Sequence, residues 1–331
     1  MSPFPRGARH ASQSALLFAT RPVFLSLLAM ALAAWVSADG QRQTLYGRHV
    51  VALFHEPDRA AALTAVDAAD DLAARLPTEL GYQLDRRAEI IVCSTHSELE
   101  REAGRWQGVW VLGLALPEAH RVLVKALPHA TLRRVTRHEL AHLFLSKALG
   151  EDDAIAPRWL HEGAAKYYSD DWSDGERMLL SEALREGKLY RVRQLTTFPT
   201  NPDQAEIAYA ESYVLVRYLA SLDPTHGLAS FVANLKETRD PARALRRAYG
   251  LSEAEVDAGL REAISRQSRG VAPAWAMDMA IFFAMALLFV FAYLRVRKRS
   301  REIRQRMEEE ELLERLFEES RRRRHLWGRR G

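Results

Sequence analysis

One long apolar run near the C-terminal end constrains this chain more than any other feature. Residues 271–294 read VAPAWAMDMAIFFAMALLFVFAYL and contain a single charged residue, Asp278, in the first half of the run. A helix needs about 20 apolar residues to cross the ~30 Å hydrocarbon core of a bilayer, so this run is long enough. A buried core helix is the alternative, but such helices are usually shorter. We therefore expect one transmembrane helix at 271–294.

Basic residues follow the apolar run and predict its orientation. Residues 295–306 contain seven Arg and Lys residues, opposed by Glu302 alone. Such a flank is typical of the cytoplasmic side of a membrane-spanning helix. We therefore expect residues 295–331 to form a charged cytoplasmic tail and residues 39–270 to form an extracytoplasmic domain. The protein would then be a single-pass protein of the cell inner membrane, with this domain on the periplasmic side.

A second, shorter apolar run lies near the N-terminus. Residues 23–36 read VFLSLLAMALAAWV and follow a stretch with three Arg residues and no acidic residue. This arrangement is typical of a secretory signal peptide, and residues 36–38 (VSA) provide the small side chains that a signal peptidase reads. The alternative is an uncleaved anchor, but a 14-residue helix spans only about 21 Å. We expect a signal peptide at 1–38, cleaved after Ala38.

The charge is unevenly distributed along the chain, and its distribution bears on the partners. The formal net charge is +4; residues 1–38 contribute +3 and residues 295–331 contribute +6, which leaves −5 for residues 39–294. Nucleic-acid-binding proteins concentrate positive charge on a folded face, so we expect no nucleic-acid partner. The tail combines an acidic stretch with four consecutive Arg residues at 321–324. Three roles stay open for it: binding a cytoplasmic partner, lying on the anionic inner leaflet, or remaining solvated.

The sequence pattern of the expected extracytoplasmic domain changes from strand-like to helical along the chain. Short apolar segments predict strands at 50–54, 90–94, 109–114 and 122–125, and an Ala-rich segment predicts a helix at 60–76. From residue 131 onward the spacing predicts helices at 131–148, 158–169, 175–187, 204–222, 226–237, 240–248 and 252–267. This order predicts an α+β fold, in which a small mixed β-sheet with helices is followed by a mainly helical lobe. The single cysteine, Cys93, falls in an expected strand as a small buried apolar side chain.

The first of these later helices contains a short motif with metal-binding chemistry. It reads His138-Glu139-Leu140-Ala141-His142. Residues four apart share one face of a helix, so both imidazoles can point at one ion. Glu139 is rotated by about 100° from His138, which lets it flank an open position on that ion. In helical zinc hydrolases the two histidines bind the metal and the glutamate is the general base. Two helix histidines that bond to their neighbours are the alternative until a third ligand is found.

A third candidate ligand follows at a suitable distance. Pro157 can begin a new helix, and that helix would contain Glu162, twenty residues after His142. Gly150 and the acidic residues after it leave room for the chain to reverse, so an antiparallel helix would bring Glu162 beside the two histidines. Two His, one Glu and a water molecule form a catalytic zinc set. The sequence therefore predicts a Zn²⁺ site of His138, His142 and Glu162.

These motifs resemble those of a known family. HELAH followed by WLHEGAAKYYS at 159–169 is similar to the gluzincin zinc metallopeptidases, specifically the peptidase MA-like bacterial proteins with HExxH and a later W-L-x-E-G-x-A. The stretch at 208–219 is similar to the later Tyr-containing helix of that family, and the resemblance covers roughly residues 45–250. It implies a thermolysin-like zincin core, with zinc bound by His138, His142 and Glu162 and with Glu139 as general base.

The resemblance also bears on the groups around the metal. Many gluzincins have an acidic residue four positions after the third ligand, whereas this chain has Lys166, so an acidic neighbour of the histidines would have to come from elsewhere. A Tyr or His donor usually stabilises the oxyanion that forms during hydrolysis. The resemblance implies Tyr209 for that role. Tyr213, one helical turn later, and His161, next to Glu162, are alternatives, and tyrosines at helical spacing are often simply packed.

The sequence thus predicts a membrane-anchored zinc metallopeptidase. It would hydrolyse peptide bonds of a peptide or protein substrate by a zinc-activated water, with Glu139 as base. The segment at 109–114 or the one at 122–125 could present a sheet edge to which the peptide adds as a strand. The alternative function is a catalytically inactive zincin-fold binding or scaffold module in the cell envelope, which would not require Glu139. An intramembrane protease is excluded, because HELAH lies far from the apolar run at 271–294.

Overall fold

The protein divides into two compact units. The computed structural model describes residues 41–104, 108, 111–269 and 274–327. One unit is Met1–Arg269 and the other is Gly270–Gly331. The expected signal peptide at 1–38 lies outside the described residues.

Five short strands form one mixed sheet. They are β1 (Gln43–Tyr46), β2 (Val50–Phe54), β3 (Ala88–Cys93), β4 (Gly113–Leu116) and β5 (Arg121–Lys125), in the spatial order β1-β2-β3-β5-β4. The three central strands are parallel, and Ile90 of β3 lies opposite Ala52 of β2 and Val122 of β5. The outer strands β1 and β4 are antiparallel to their neighbours. Apolar side chains on both faces of the central strands are buried, as expected for a parallel sheet covered by helices.

Eleven α-helices are present in the described part of the chain, most of them after the sheet. They are α1 (Arg59–Ala73), α2 (Leu76–Leu80), α3 (His96–Ala103), α4 (His129–Leu149), α5 (Arg158–Tyr168), α6 (Asp174–Arg185), α7 (Pro202–Leu222), α8 (Ala229–Thr238), α9 (Pro241–Tyr249), α10 (Glu253–Ser268) and α11 (Ala274–Trp327). The expected mixed sheet followed by a mostly helical body is confirmed.

The differences from the sequence-based elements are confined to short segments. Strand β4 begins four residues later than the expected strand at 109–114, whose first two residues lie outside the described part of the chain. The helix at 60–76 ends at Ala73, and α2 follows as a separate short helix. Strand β1 and helices α2 and α3 were not predicted. Each has four to eight residues, too few for a hydrophobic period to be recognised.

Helices cover both faces of the sheet. Helices α1 and α4 pack on one face and share the main hydrophobic core with the sheet and the helical body. Helix α3 packs on the other face, where Cys93 is buried with Ile91, Leu99 and Leu123. The expected burial of Cys93 is confirmed. The core is continuous from the sheet through α4 to α5 and α7, so these helices have fixed positions relative to the strands.

Helices α5 and α7 pack closely because of one glycine. A Cβ atom at Gly163 would lie 2.3 Å from the carbonyl oxygen of Ser212 and 2.8 Å from Cγ2 of Val216. Only glycine allows this distance between the two helix backbones. Gly163 directly follows Glu162 in α5, so this close contact fixes the position of Glu162 in the fold.

In the second unit, the structure describes residues 274–327, and these form the long helix α11. Its stretch Met279–Leu313 has a mean hydropathy of 2.3 in its most apolar window, and none of that window is buried. Its apolar side chains are exposed; Phe289, for example, is 75% accessible. The helix is long and apolar enough to cross a membrane by length and composition. Residues 271–273 of the expected span lie outside the described residues.

Candidate metal centre

Three side chains from two helices converge at one point. His138 and His142 lie one turn apart on α4, and Glu162 lies in the second turn of α5. The Nε2 atoms of the two histidines are 3.2 Å apart. One ligand atom from each of the three residues lies within 4.8 Å of the others. Helix α4 ends at Leu149, the chain reverses through Gly150–Ile155, and Pro157 precedes α5, as the sequence predicted.

The donor set fits a zinc ion. Two ligands about 2.05 Å from a tetrahedral zinc ion lie roughly 3.3 Å apart, close to the separation of the two Nε2 atoms. Burial lowers the pKa of His138 to about 4 and lowers the pKa of His142 well below its ordinary value. Both imidazoles are therefore neutral at pH 7 and have a lone pair for a metal. The Glu162 carboxylate supplies an oxygen ligand, although burial raises its pKa while Arg158 opposes the rise.

Glu139 lies against the edge of the sheet rather than among the three ligands. A Cβ atom at Gly113 of β4 would lie 2.7 Å from Cγ of Glu139, so only glycine lets the strand approach this close. Burial raises the pKa of Glu139 to about 8, the backbone N–H of Ala115 opposes this rise, and the Glu162 carboxylate adds to it. A cation bound beside this carboxyl group would favour its ionised form, in which it can accept a proton and later return it.

An open cavity of about 900 Å³ gives access to this centre. Glu139, His142 and Glu162 form part of its wall, together with residues from β4 and from the start of α5. A smaller cavity, which Glu139 and Glu162 also line, reaches His138. The candidate ligands and the candidate base thus line cavities whose walls also include residues of β4.

Comparison with known families agrees with this geometry. The family model described as the Peptidase MA superfamily matches residues 68–265, which is more than half of the chain. The chain belongs to the Peptidase MA superfamily. The matched region begins within α1, contains all three candidate ligands and ends within α10. The resemblance to peptidase MA-like gluzincins is thereby confirmed.

Solved structures of metallopeptidases also align with this Peptidase MA chain. An M1 zinc metallopeptidase from Deinococcus radiodurans aligns at 19% identity and a TM-score of 0.39, covering 70% of this chain and 53% of the other. A mutant of an M1 zinc metallopeptidase from that organism aligns at 16% identity and a TM-score of 0.39, covering 68% and 52%. The chain spans about half the length of these crystallised proteins. A search of curated proteins finds no match.

The departure from the Peptidase MA pattern at Lys166 has a structural explanation. Lys166 is 8% exposed, and its Nζ atom lies 3.2 Å from Oδ2 of Asp171 and 2.7 Å from Oε1 of Glu176. Burial has the largest effect on the pKa of His138 and lowers it. The Asp171 carboxylate raises this pKa, and Lys166 lowers it. Asp171 therefore acts on His138 through its charge and lines the same small cavity, while its carboxylate is paired with Lys166 and Arg134.

The structure separates the three candidates for the oxyanion donor. Tyr209 reaches the smaller cavity beside His138 and Glu139. His161 reaches the larger cavity, and its ring centroid lies 5.9 Å from that of His142. Tyr213 instead stacks on Trp172, with ring centroids 4.5 Å apart and planes 8° from parallel.

Tyr213 is 8% exposed, and the Arg217 guanidinium lies over its ring. The ring of Tyr213 thus packs between Trp172 and Arg217. Tyr209 and His161 are the two candidates that the fold brings to the cavities.

Two residues near the centre were not predicted. Arg158 lies at the mouth of the larger cavity, and its Nη2 atom donates a hydrogen bond of 3.1 Å to the phenol oxygen of Tyr209. Its position four residues before Glu162 could have indicated a contact across one helical turn. Asp171 lies after the end of α5 in a turn, and no sequence period indicates its return toward His138.

Proposed function

We propose that this chain is a zinc-dependent metallopeptidase that hydrolyses peptide bonds with Glu139 as general base. The observation that carries the proposal is the convergence of His138, His142 and Glu162 beside an open cavity whose wall includes Glu139. Membership of the Peptidase MA superfamily supports a peptide or protein as substrate.

In this proposal each residue has a distinct role. His138, His142 and Glu162 hold the ion. When bound, zinc supplies Lewis-acid chemistry, polarising the scissile carbonyl and lowering the pKa of water. Glu139 takes the proton of the attacking water and later passes it to the leaving amine. The N–H of Ala115 donates a hydrogen bond to the Glu139 carboxylate and thereby orients it.

Tyr209 is the proposed donor to the developing oxyanion, with His161 as the alternative. The phenol oxygen of Tyr209 accepts a hydrogen bond from Arg158, which leaves the phenol proton free to be donated. The adjacent guanidinium charge makes that phenol a stronger donor. The ring of Tyr209 packs edge-on against that of Phe198, and the two ring centroids are 4.7 Å apart.

The sheet supplies a surface for an extended peptide. Strand β5 lies between β3 and β4, so the segment at 121–125 is not an edge. Strand β4 is the outermost strand on this side among the described residues, and its Gly113 and Ala115 flank Glu139. We propose that the substrate adds to β4 by backbone hydrogen bonds, which would place a peptide bond near Glu139.

We also propose that the peptidase is anchored in a membrane. A cleaved signal peptide at 1–38 would export residues 39–270, a helix at 271–294 would cross the inner membrane, and residues 295–331 would remain in the cytoplasm. The apolar stretch Met279–Leu313 of α11, whose most apolar window is not buried, supports the membrane-crossing helix, and the basic residues at 295–306 support its orientation. Fusing alkaline phosphatase after Arg269 should give an active reporter, and fusing it after Gly331 should give an inactive one. The reverse pattern would place the metal centre in the cytoplasm.

The catalytic proposal is tested with the full chain purified in detergent. Elemental analysis should find about one zinc per chain, and His142→Ala should lose it. Glu139→Gln should keep the zinc but abolish hydrolysis of a peptide library followed by mass spectrometry. Glu206→Gln is the matched control, because Glu206 is an exposed residue on the wall of a neighbouring cavity and lies outside the ligand set.

Zinc binding without hydrolysis in any variant would favour the binding or scaffold module over the enzyme. Absence of zinc in the wild-type protein, even after zinc is supplied, would refute the metal centre itself.

A further inference from the structure

Arg158 stands out among the residues around the larger cavity. Among the described residues that line this cavity, it is the one Arg or Lys. It is the first residue of α5, and its side chain is 50% exposed. A positive charge at the mouth of the cavity, beside the candidate metal ligands, can contact a substrate directly.

The guanidinium of Arg158 is held in a defined position. Its Cζ atom lies 5.0 Å from the ring centroid of Phe198, and its Nη2 atom donates to Tyr209. Its Nε atom lies 3.8 Å from Oε1 of Glu162. A guanidinium has five N–H donors, and within the described part of the chain Tyr209 is the partner at hydrogen-bonding distance. Fixed in this way, Arg158 still has donors to offer to a ligand.

The charge of Arg158 is compensated differently from that of the other basic residues near the centre. Lys166 is paired with Asp171 and Glu176, and Arg134 lies 3.4 Å from Asp171. Among the side chains that the structure describes, the acidic group near Arg158 is that of Glu162, a proposed metal ligand. An ion bound by Glu162 would draw on the same carboxylate charge, so Glu162 would then compensate the charge of Arg158 less.

We propose that Arg158 binds a carboxylate group of the peptide substrate and thereby determines specificity. The carboxylate comes either from an Asp or Glu side chain near the scissile bond or from the C-terminus of the peptide. Arginine suits this role because its planar fork pairs with both oxygens of a carboxylate. The inference rests on the proposed peptidase function, and it adds a substrate class to it.

The test compares enzymes and peptides in pairs. The zinc-loaded full chain in detergent first cleaves a peptide library, and mass spectrometry identifies the preferred sites. The best-cleaved peptide is then made in matched forms: Glu or Gln at its acidic position, and a free or amidated C-terminus. Wild type, Arg158→Gln, Arg158→Lys and the control Arg134→Gln are measured on each form. Arg134 is the matched control because its side chain is also 50% exposed.

We expect wild type to lose roughly tenfold or more in kcat/KM, mainly through KM, when the recognised carboxylate becomes an amide. In Arg158→Gln, any loss that arises through Tyr209 affects both peptides alike, so the further loss of roughly tenfold should appear on the carboxylate peptide alone, and the variant should no longer distinguish the two forms. Arg158→Lys should recover part of that discrimination. If the loss appears between the Glu and Gln peptides, Arg158 binds a side-chain carboxylate. If it appears between the free and amidated C-termini, Arg158 binds the C-terminal carboxylate. Arg134→Gln should discriminate between the forms as wild type does.

Other outcomes would overturn the proposal. A library profile without carboxylates, or an equal loss on both peptides in Arg158→Gln, would mean that Arg158 acts through Tyr209 or through the fold. If no variant cleaves any peptide, the inference is tested by binding instead: the peptide library is passed over the immobilised, zinc-loaded chain, and the retained peptides are identified. Selective retention of carboxylate peptides that Arg158→Gln abolishes would uphold the inference while the proposed hydrolysis fails. Unselective retention would refute the inference as well.

Discussion

Replacing Gly163 by alanine tests how the fold holds the third ligand. The added Cβ would lie 2.3 Å from the carbonyl oxygen of Ser212, whereas ordinary contacts begin at 3.4 Å. The obstacle is backbone, so no side-chain rotation relieves it. Helices α5 and α7 must therefore separate by about 1 Å, and Glu162 moves with α5.

The expected cost follows from two opposing effects. Overpacking of this kind costs about 1–3 kcal/mol, and a backbone obstacle lies at the upper end. The higher helix propensity of alanine opposes this cost, because alanine stabilises a helix by up to about 1 kcal/mol relative to glycine. The net destabilisation is about 2 kcal/mol. For a body of this size that corresponds to a fall in Tm of roughly 4–8 °C.

The assay is thermal unfolding of the full chain in detergent, with and without zinc. Gly175→Ala is the matched control, because Gly175 also lies inside a helix and its Cβ would meet only Ser173 Oγ, at 3.6 Å. That variant should be as stable as wild type or slightly more stable. Gly163→Ala should also bind zinc more weakly. A Tm for Gly163→Ala equal to that of Gly175→Ala would refute the close-packing argument.

Three further measurements address the site and the core. Zinc should raise the Tm of wild type but not of His142→Ala, because binding to the native state alone stabilises it. Burial raises the pKa of Glu211 from 4.5 to about 8, although the backbone N–H of Tyr190 donates a hydrogen bond to this carboxyl group and opposes the rise. Between these two pKa values, Glu211 is therefore protonated in the native state and ionised in the unfolded state. The free energy of unfolding should fall by about 3 kcal/mol from about pH 5 to pH 8 in denaturant titrations, and Glu211→Gln should remove most of that fall. Burial raises the pKa of Cys93 to about 12, so iodoacetamide should label it only after unfolding; labelling of the native chain would contradict its burial.

The candidate ligands could be found from the sequence because their geometry is local. The spacing of His138 and His142 is fixed by the helical period, and Glu162 follows after a turn that Gly150 and Pro157 delimit. The helices themselves were long enough for their period to be read. For these parts, short-range rules determine the positions.

The rest of the site depends on packing between distant segments. Strand β4 was placed too early, because its bounds depend on pairing with β5 rather than on its own four residues. The stacking of Tyr213 on Trp172 joins α7 to a loop, and nothing in the local spacing distinguishes Tyr213 from Tyr209. Asp171 lines the same cavity as His138 only because the chain turns after α5.

If the chain is the proposed peptidase and its substrate adds to β4, the position of this strand at the border of the sheet has a consequence for turnover. A strand edge accepts only a chain that is already extended, so a helix or a folded domain offers it nothing to pair with. A stable protein would become a substrate only during the brief intervals in which a segment opens locally. If cleavage is slower than reclosing, the lifetime of each target is governed by the free energy of that opening. The peptidase would then select targets by their conformational stability, and Arg158 would select among the segments that open.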